Sequence, residues 1–249
     1  MFKLVDAYLG LRLGADLSTA PQDHVIVVES PRRLAAEPSY GYVHALWWLW
    51  FADGRSVISA PPGTGAAVLH VVSAVRDEGA LTCPEIAAAL RSIVDSLRAR
   101  ANLPTTNRVL HSRIFACHRQ TLRPEPPGIC QRLEDASIPA ADGLNLPAHC
   151  FPHGTVYGVV VNGRVVSVAY AHRTGAMQDE VADVGVETAE GYRRRGYARA
   201  AVAAVVSDYV RRGGEAVYSC APTNAASIAT AKSVGFVAYA QSMVLAASS

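Results

Sequence analysis

Apolar runs that are continuous or alternate with polar residues mark strands, and apolar residues three and four apart mark helices. On that basis Phe2 to Leu13, which ends at Gly14, predicts a short helix. His24 to Ser30 (HVIVVES) predicts a strand closed by Pro31. Tyr42 to Ala60 predicts two strands around Asp53-Gly54, a strong hairpin dipeptide. Pro61-Pro62-Gly63-Thr64-Gly65 then leads into an apolar helix, Ala66 to Val75. Thr82-Cys83-Pro84-Glu85 reads as a capping box that opens a helix reaching Ala101, with Leu90, Ile93, Val94 and Leu97 on one face. Arg108 to Cys117 reads as a further strand.

The second half alternates strands and helices more regularly. Thr155 to Val161 and Val165 to His172 are strands joined by Asn162-Gly163-Arg164. Val181 to Thr188 is short and valine-rich, as a buried strand is, and a helix runs from Ala198 to Arg212, where Gly213-Gly214 stop it. Glu215 to Cys220 is the next strand. Pro222-Thr223-Asn224 is a capping turn before the helix AASIATAKSV, which Gly235-Phe236 close, and Val237 to Leu245 is a last strand. The fold class is therefore α/β, a mixed sheet with flanking helices.

At 249 residues the chain has room for one large or two small domains. The best boundary is Leu122 to Gly128, where Pro124, Pro126 and Pro127 can neither continue a helix nor pair inside a sheet. This gives a smaller N-terminal α/β domain, 1–122, and a second domain, 129–249. Half the residues are apolar and 18% are charged, so a packed core is expected and disorder is not. A net charge of +2 is too small for a nucleic-acid surface, which excludes that class of partner. Five cysteines without a regular framework favour reduced thiols in a cytoplasm. Lys3, Asp6 and Arg12 interrupt the apolar residues of the N-terminus, against a signal-peptide core, and ALWWLWFA (45–52) is far shorter than the roughly 20 residues of a membrane span, so no membrane partner is expected.

Candidate chemistry is concentrated in the second half. Arg193-Arg194-Arg195-Gly196-Tyr197-Ala198 lies where a strand turns into a helix. Such a turn exposes unpaired N–H groups at the positive end of the helix dipole, which suits an anion, and the small Gly196 and Ala198 let a diphosphate approach the main chain. The bland reading of these arginines is a solvated turn, and that of Asn224 a plain helix cap. APPGTGAAV has the look of a nucleotide-binding loop, but Ala66 stands where its lysine is needed. Cys117-His118 and His149-Cys150-Phe151-Pro152-His153 lack the paired spacing of a zinc site, so no metal is expected.

The pattern Arg193-x-x-Gly196-x-Ala198 resembles the pyrophosphate loop of the GNAT family of N-acetyltransferases. Asn224, the helix after it and Gly235-Phe236 resemble the family's second signature, at the family's spacing. The resemblance covers Ile129 to Leu245 and implies the GNAT acyl-CoA N-acyltransferase fold there. The order of elements in the N-terminal domain allows a degenerate second copy, as tandem GNAT proteins have. The resemblance further implies acetyl-CoA as acyl donor. Val186, Glu187 and Thr188 would offer backbone groups to its pantetheine arm, Arg194, Arg195, Gly196, Tyr197, Ala198 and Arg199 would wrap its pyrophosphate, and Asn224 would bond the pantetheine side.

The catalytic positions depart from the family pattern. The usual tyrosine seven residues after the asparagine is Ala231, a glutamate found five before it is Ser219, and the glutamate of histone-type members falls at Ala182. Strand alternation puts Glu180 on the face of position 182, where it would act through a water, and Tyr239, Glu187, Tyr170 and His172 are the other catalytic candidates. The implied function is transfer of an acetyl group to a primary amine of a small molecule, with antibiotic amines such as aminoglycosides as one class. Acetylation of a protein or peptide amine, and a non-catalytic CoA-binding sensor or scaffold, are the alternatives. A homodimer is left open.

Overall fold

The computed structural model describes every residue except 1, 23, 37–40, 124–127, 152–153, 173–174, 176 and 249. Most of the proline-rich segment expected as a boundary thus lies outside the described residues, as do Pro152 and His153. In chain order the elements are α1 (Lys3–Leu13), β1 (Val25–Glu29), β2 (Tyr42–Phe51), β3 (Ser56–Ala60), α2 (Gly65–Val72), α3 (Pro84–Arg100) and β4 (Arg108–Cys117). They continue with β5 (Gln131–Arg132), β6 (Val156–Val161), β7 (Arg164–His172), β8 (Val181–Thr188), α4 (Tyr197–Arg211), β9 (Glu215–Cys220), α5 (Ala225–Val234) and β10 (Val237–Ser248). Contacts divide the chain into two compact units, one of Asp6–Ile114 with Ala238–Ser249, the other of Met1–Val5 with Phe115–Val237.

The first unit is organised around β2, which is apolar on both faces. It pairs antiparallel with β3 on one side and with β10 on the other, and β1 runs parallel to β3. β10, the last strand, runs along β2 from Tyr42 to Phe51. Trp48 is fully buried, and its indole N–H donates to Ser56 Oγ at 2.9 Å, which removes the penalty of burying that donor. Val68 and Val72 of α2 and Leu90 and Val94 of α3 close the core over Trp48, Ile58 and Ala60.

The expected capping box does not form. Thr82 belongs to a preceding 3-10 turn and spends its hydroxyl on Gly79 O, so Cys83 is the N-cap of α3 and makes no side-chain cap bond. The nucleotide-loop look-alike ahead of α2 is closed from within: the Glu29 carboxylate accepts from Gly63 N at 2.9 Å and from Gly65 N at 2.7 Å. Those two N–H groups hold its carboxyl below the ordinary range.

A buried polar cluster ties α1, the β2–β3 turn and β10 together. Tyr239 donates its hydroxyl to the Asp6 carboxylate, Arg55 pairs with Asp6 at 3.0 Å and with Asp53 at 2.9 Å, and Arg55 also donates to Leu17 O at 2.9 Å. Burial, and then Asp6, keep the Tyr239 hydroxyl protonated far above the usual tyrosine range.

In the second unit the strand order is β9-β8-β7-β6-β5. Asn162 and Gly163, with φ of 50° and 75°, make the two-residue turn between β6 and β7. α4 packs across β6, β7 and β8, with every residue from Ala200 to Val206 buried. α5 ends at Gly235, where a Cβ would stand 2.0 Å from Thr121 O, so only glycine fits.

Two tests concern stability. Asp6→Ala leaves the Arg55 guanidinium without one of its buried partners and is expected to cost about 3 to 5 kcal/mol in urea unfolding; a loss typical of a surface change would count against the cluster. His44, buried in β2, has its pKa pushed down to about 3, first by burial and then by Arg12 and Arg33. The unfolded chain holds this proton more tightly, with an ordinary pKa of about 6.5, so stability is full above that pH and is lost as pH falls toward about 3. The drop should shrink in His44→Gln, and an unfolding free energy flat over that window in the wild type would rule the linkage out.

Candidate functional site

The site begins with a ladder that stops early. β8 and β9 run parallel but pair only at Val181 with Glu215, Ala182 with Ala216 and Asp183 with Val217. Beyond that point β8 continues through Val184 to Thr188 and β9 through Tyr218 to Cys220, so the strands part. The Glu180 carbonyl accepts from Glu215 N, whereas the Glu187 carbonyl accepts from Ser167 Oγ and Ala189 N donates to Val166 O. Backbone groups alternate sides along a strand, so those of Val184, Val186 and Thr188 face the opened gap. Glu187 turns its carbonyl toward β7, which corrects the expectation that all three of Val186, Glu187 and Thr188 offer backbone groups there.

Because β8 and β9 are parallel, the connections that follow them emerge at the same edge of the sheet, the usual ligand edge of an α/β fold. After β8 a 3-10 turn (Glu190–Tyr192) leads to the arginine loop. Arg194 and Gly196, with φ of 61° and 81°, bend the backbone into the left-handed region on either side of Arg195. Gly196 is the N-cap of α4 and no side chain caps the helix, so the first-turn N–H groups of Tyr197, Ala198 and Arg199 have no side-chain acceptor. Arg193 to Gly196 are exposed, and Tyr197 to Arg199 partly so. Arg193 Nε donates to Thr188 O at 3.3 Å, and the Arg195 guanidinium lies 5.4 Å from the Tyr192 ring centre, which holds the loop against the end of β8. A Cβ at Gly196 would meet nothing within 4 Å. The loop is thus open, positively charged and rich in aimed donors, as a diphosphate requires. After β9, Asn224 caps α5 with Oδ1 accepting from Ser227 N at 3.0 Å, and it is exposed at the same edge.

The expected catalytic residues are not brought to this edge. Glu180 precedes β8 in an exposed turn, and eight residues at about 3.3 Å each put it roughly 26 Å from Thr188. Tyr239 is committed to Asp6 in the other unit. Ala231 and Ala182, where the family's acid and base would be sought, are both fully buried in the core beneath α4 and α5. Ser219 is exposed on β9, past the last paired residue.

A different set of side chains lies on the other face of β8. Across the β7–β8 ladder Tyr170 pairs with Gly185, His172 with Asp183 and Val168 with Glu187. A Cβ at Gly185 would stand 2.6 Å from Tyr170 Cζ and 2.9 Å from its hydroxyl oxygen, so the ring lies directly over this glycine. His149 adds an edge-on contact, its ring centre 6.2 Å from that of Tyr170 and 6.5 Å from that of His172. Burial, then Cys150, Glu187 and Asp183, push the Tyr170 hydroxyl above its ordinary pKa. Tyr170 and His172 stand among the sequence candidates, and the close approach at Gly185 locates the Tyr170 ring. Among the described residues no cluster of three or more His, Cys, Asp or Glu could hold a metal ion, and no helix is long and apolar enough to cross a membrane.

Residues 145–242 match the model of the GNAT acetyltransferase family. Among solved structures, a protein described as an acetyltransferase of the GNAT family from Novosphingobium aromaticivorans is 24% identical, over 58% of this chain and 67% of its own, with a TM-score of 0.47. A GNAT-family acetyltransferase from Colwellia psychrerythraea is 15% identical over 56% of this chain and 58% of its own, with a TM-score of 0.45. A tandem GNAT protein of the clavulanic acid biosynthesis pathway is 11% identical over 66% of this chain and 70% of its own, with a TM-score of 0.44. The chain therefore spans less than two thirds of the Colwellia protein's length. None of the curated proteins matches this sequence. The parted strands, the open arginine loop and the asparagine-capped helix all fall inside the segment that matches this family's model.

Proposed function

We propose that this domain takes acetyl-CoA as donor and moves its acetyl group to a primary amine of a small molecule. The observation that carries the reading is the parting of β8 and β9 beside the open arginine loop. Val186 and Thr188 would pair their backbone groups with the amide-bearing pantetheine arm as an added strand does. The N–H groups of Tyr197, Ala198 and Arg199, with Arg194 and Arg195, would hold the pyrophosphate, and Asn224 the pantetheine on the β9 side. Bound there, the donor supplies an activated thioester. What the chain must add is orientation of an amine against it, an effect that alone accounts for about 7 to 11 kcal/mol of barrier in well-placed reactants. Asp183 and Glu187, on one face of β8, favour a cationic acceptor. Aminoglycosides and other antibiotic amines belong to that class. The burial of Ala231 and Ala182 favours a second reading, a CoA-binding sensor without turnover.

Calorimetry with acetyl-CoA tests the donor site. The wild type is expected to bind, and Gly196→Glu, which puts a negative charge and a strained left-handed residue at the N-cap of α4, to lose at least about tenfold in affinity, or about 1.4 kcal/mol. Equal binding by the two, or none by the wild type, would sink the assignment. Thiol release from acetyl-CoA across a panel of amines then separates transferase from sensor.

A further inference from the structure

Tyr170 is held at the point where the sheet opens. Its ring crosses Gly185, two residues past Asp183, the last residue of β8 paired with β9, and one residue before Val186, whose backbone faces the gap. The absence of a side chain at Gly185 is what brings the hydroxyl down onto the strand, since a Cβ would overlap the ring at 2.6 Å. The groups that face the ring are few. Asp183 and Glu187 flank Gly185 on β8, His172 lies two residues on along β7 with ring centres 4.9 Å apart, and His149 and Cys150 come from the short turn Ala148–Cys150. The ring is half-buried, so the hydroxyl is partly screened from water yet not sealed into the core.

We infer that Tyr170 is the proton donor of the transfer reaction, standing on β7 in place of the acid that Ala231 cannot supply, with Gly185 as the position that admits it. The inference rests on the reading of the domain as an acetyltransferase. In the reaction the acceptor ammonium first gives a proton to water or to the Glu187 carboxylate. The free amine then attacks the thioester carbonyl, a C–N bond forms, the C–S bond breaks, and the new amide nitrogen loses its second proton to water. Tyr170 gives its proton to the departing thiolate and regains one from solvent, so that one proton is released for each amide made. Burial, then Cys150 and the carboxylates of Glu187 and Asp183, keep the hydroxyl in its protonated form.

Tyr170→Phe keeps the ring and removes only the proton. It is expected to lower kcat about 100-fold while the KM for the amine and the Kd for acetyl-CoA stay close to wild type. Gly185→Ala, which leaves the hydroxyl but displaces the ring, should lower kcat in the same way. Tyr170→Phe turning over at more than half the wild-type kcat, or raising KM with kcat unchanged, overturns the inference, as does a Gly185→Ala enzyme as fast as wild type. A wild type that binds acetyl-CoA yet acetylates no amine overturns the transferase reading itself, and is told apart because it fails before any variant is made.

Discussion

The site depends on a ladder that is allowed to fail. β8 is held by β7 on one edge from Asp183 to Thr188 and by α4 beneath it, whereas β9 packs through Tyr218, whose ring meets Phe236 at 5.6 Å, and through the apolar residues around Ala231. Two strands anchored by different neighbours need not stay parallel, and after three pairs they do not. Interior backbone groups without partners are normally costly. Here they face an opening, where a ligand rich in amides can take the place of the missing strand.

The two turns that looked alike in sequence are resolved by where their negative charge comes from. Ahead of α2 the chain supplies its own carboxylate, and Glu29 takes the N–H groups of Gly63 and Gly65. Ahead of α4 no side chain is offered, and the surrounding arginines add to the charge that the helix end already carries. The missing lysine at position 66 had argued against a nucleotide loop. The geometry gives the stronger reason, because an internal carboxylate already accepts from the N–H groups that such a loop would aim at a phosphate.

Much of this was legible from residue order. The strands Val181–Thr188 and Glu215–Cys220 are written as short apolar runs, and Asn162-Gly163, Gly196 and Gly235 mark turns that only a few residue types can make. These are local signals, and local energetics decides them. What was not legible depends on partners far apart in sequence: β10 pairing with β2, Tyr239 bonding to Asp6, and Tyr170 resting on Gly185. Glu180 shows the limit of alternation as a tool. It gives the face a residue would share, but the strand begins one residue too late for Glu180 to be on it. Thr82 shows the limit of a motif, since a hydroxyl already used by the turn before it cannot also cap the helix after it.

Arg194 has a further consequence. A non-glycine residue in the left-handed region costs on the order of 1 to 2 kcal/mol, and the loop carries that strain before anything is bound. In the proposed reading that bend already aims the donors of the turn, so a diphosphate would lose little to reordering on entering it. Capture by such a turn is paced by diffusion and by the pull of the exposed arginines, which makes the rate of encounter, more than the shape of the complex, the quantity that salt would govern.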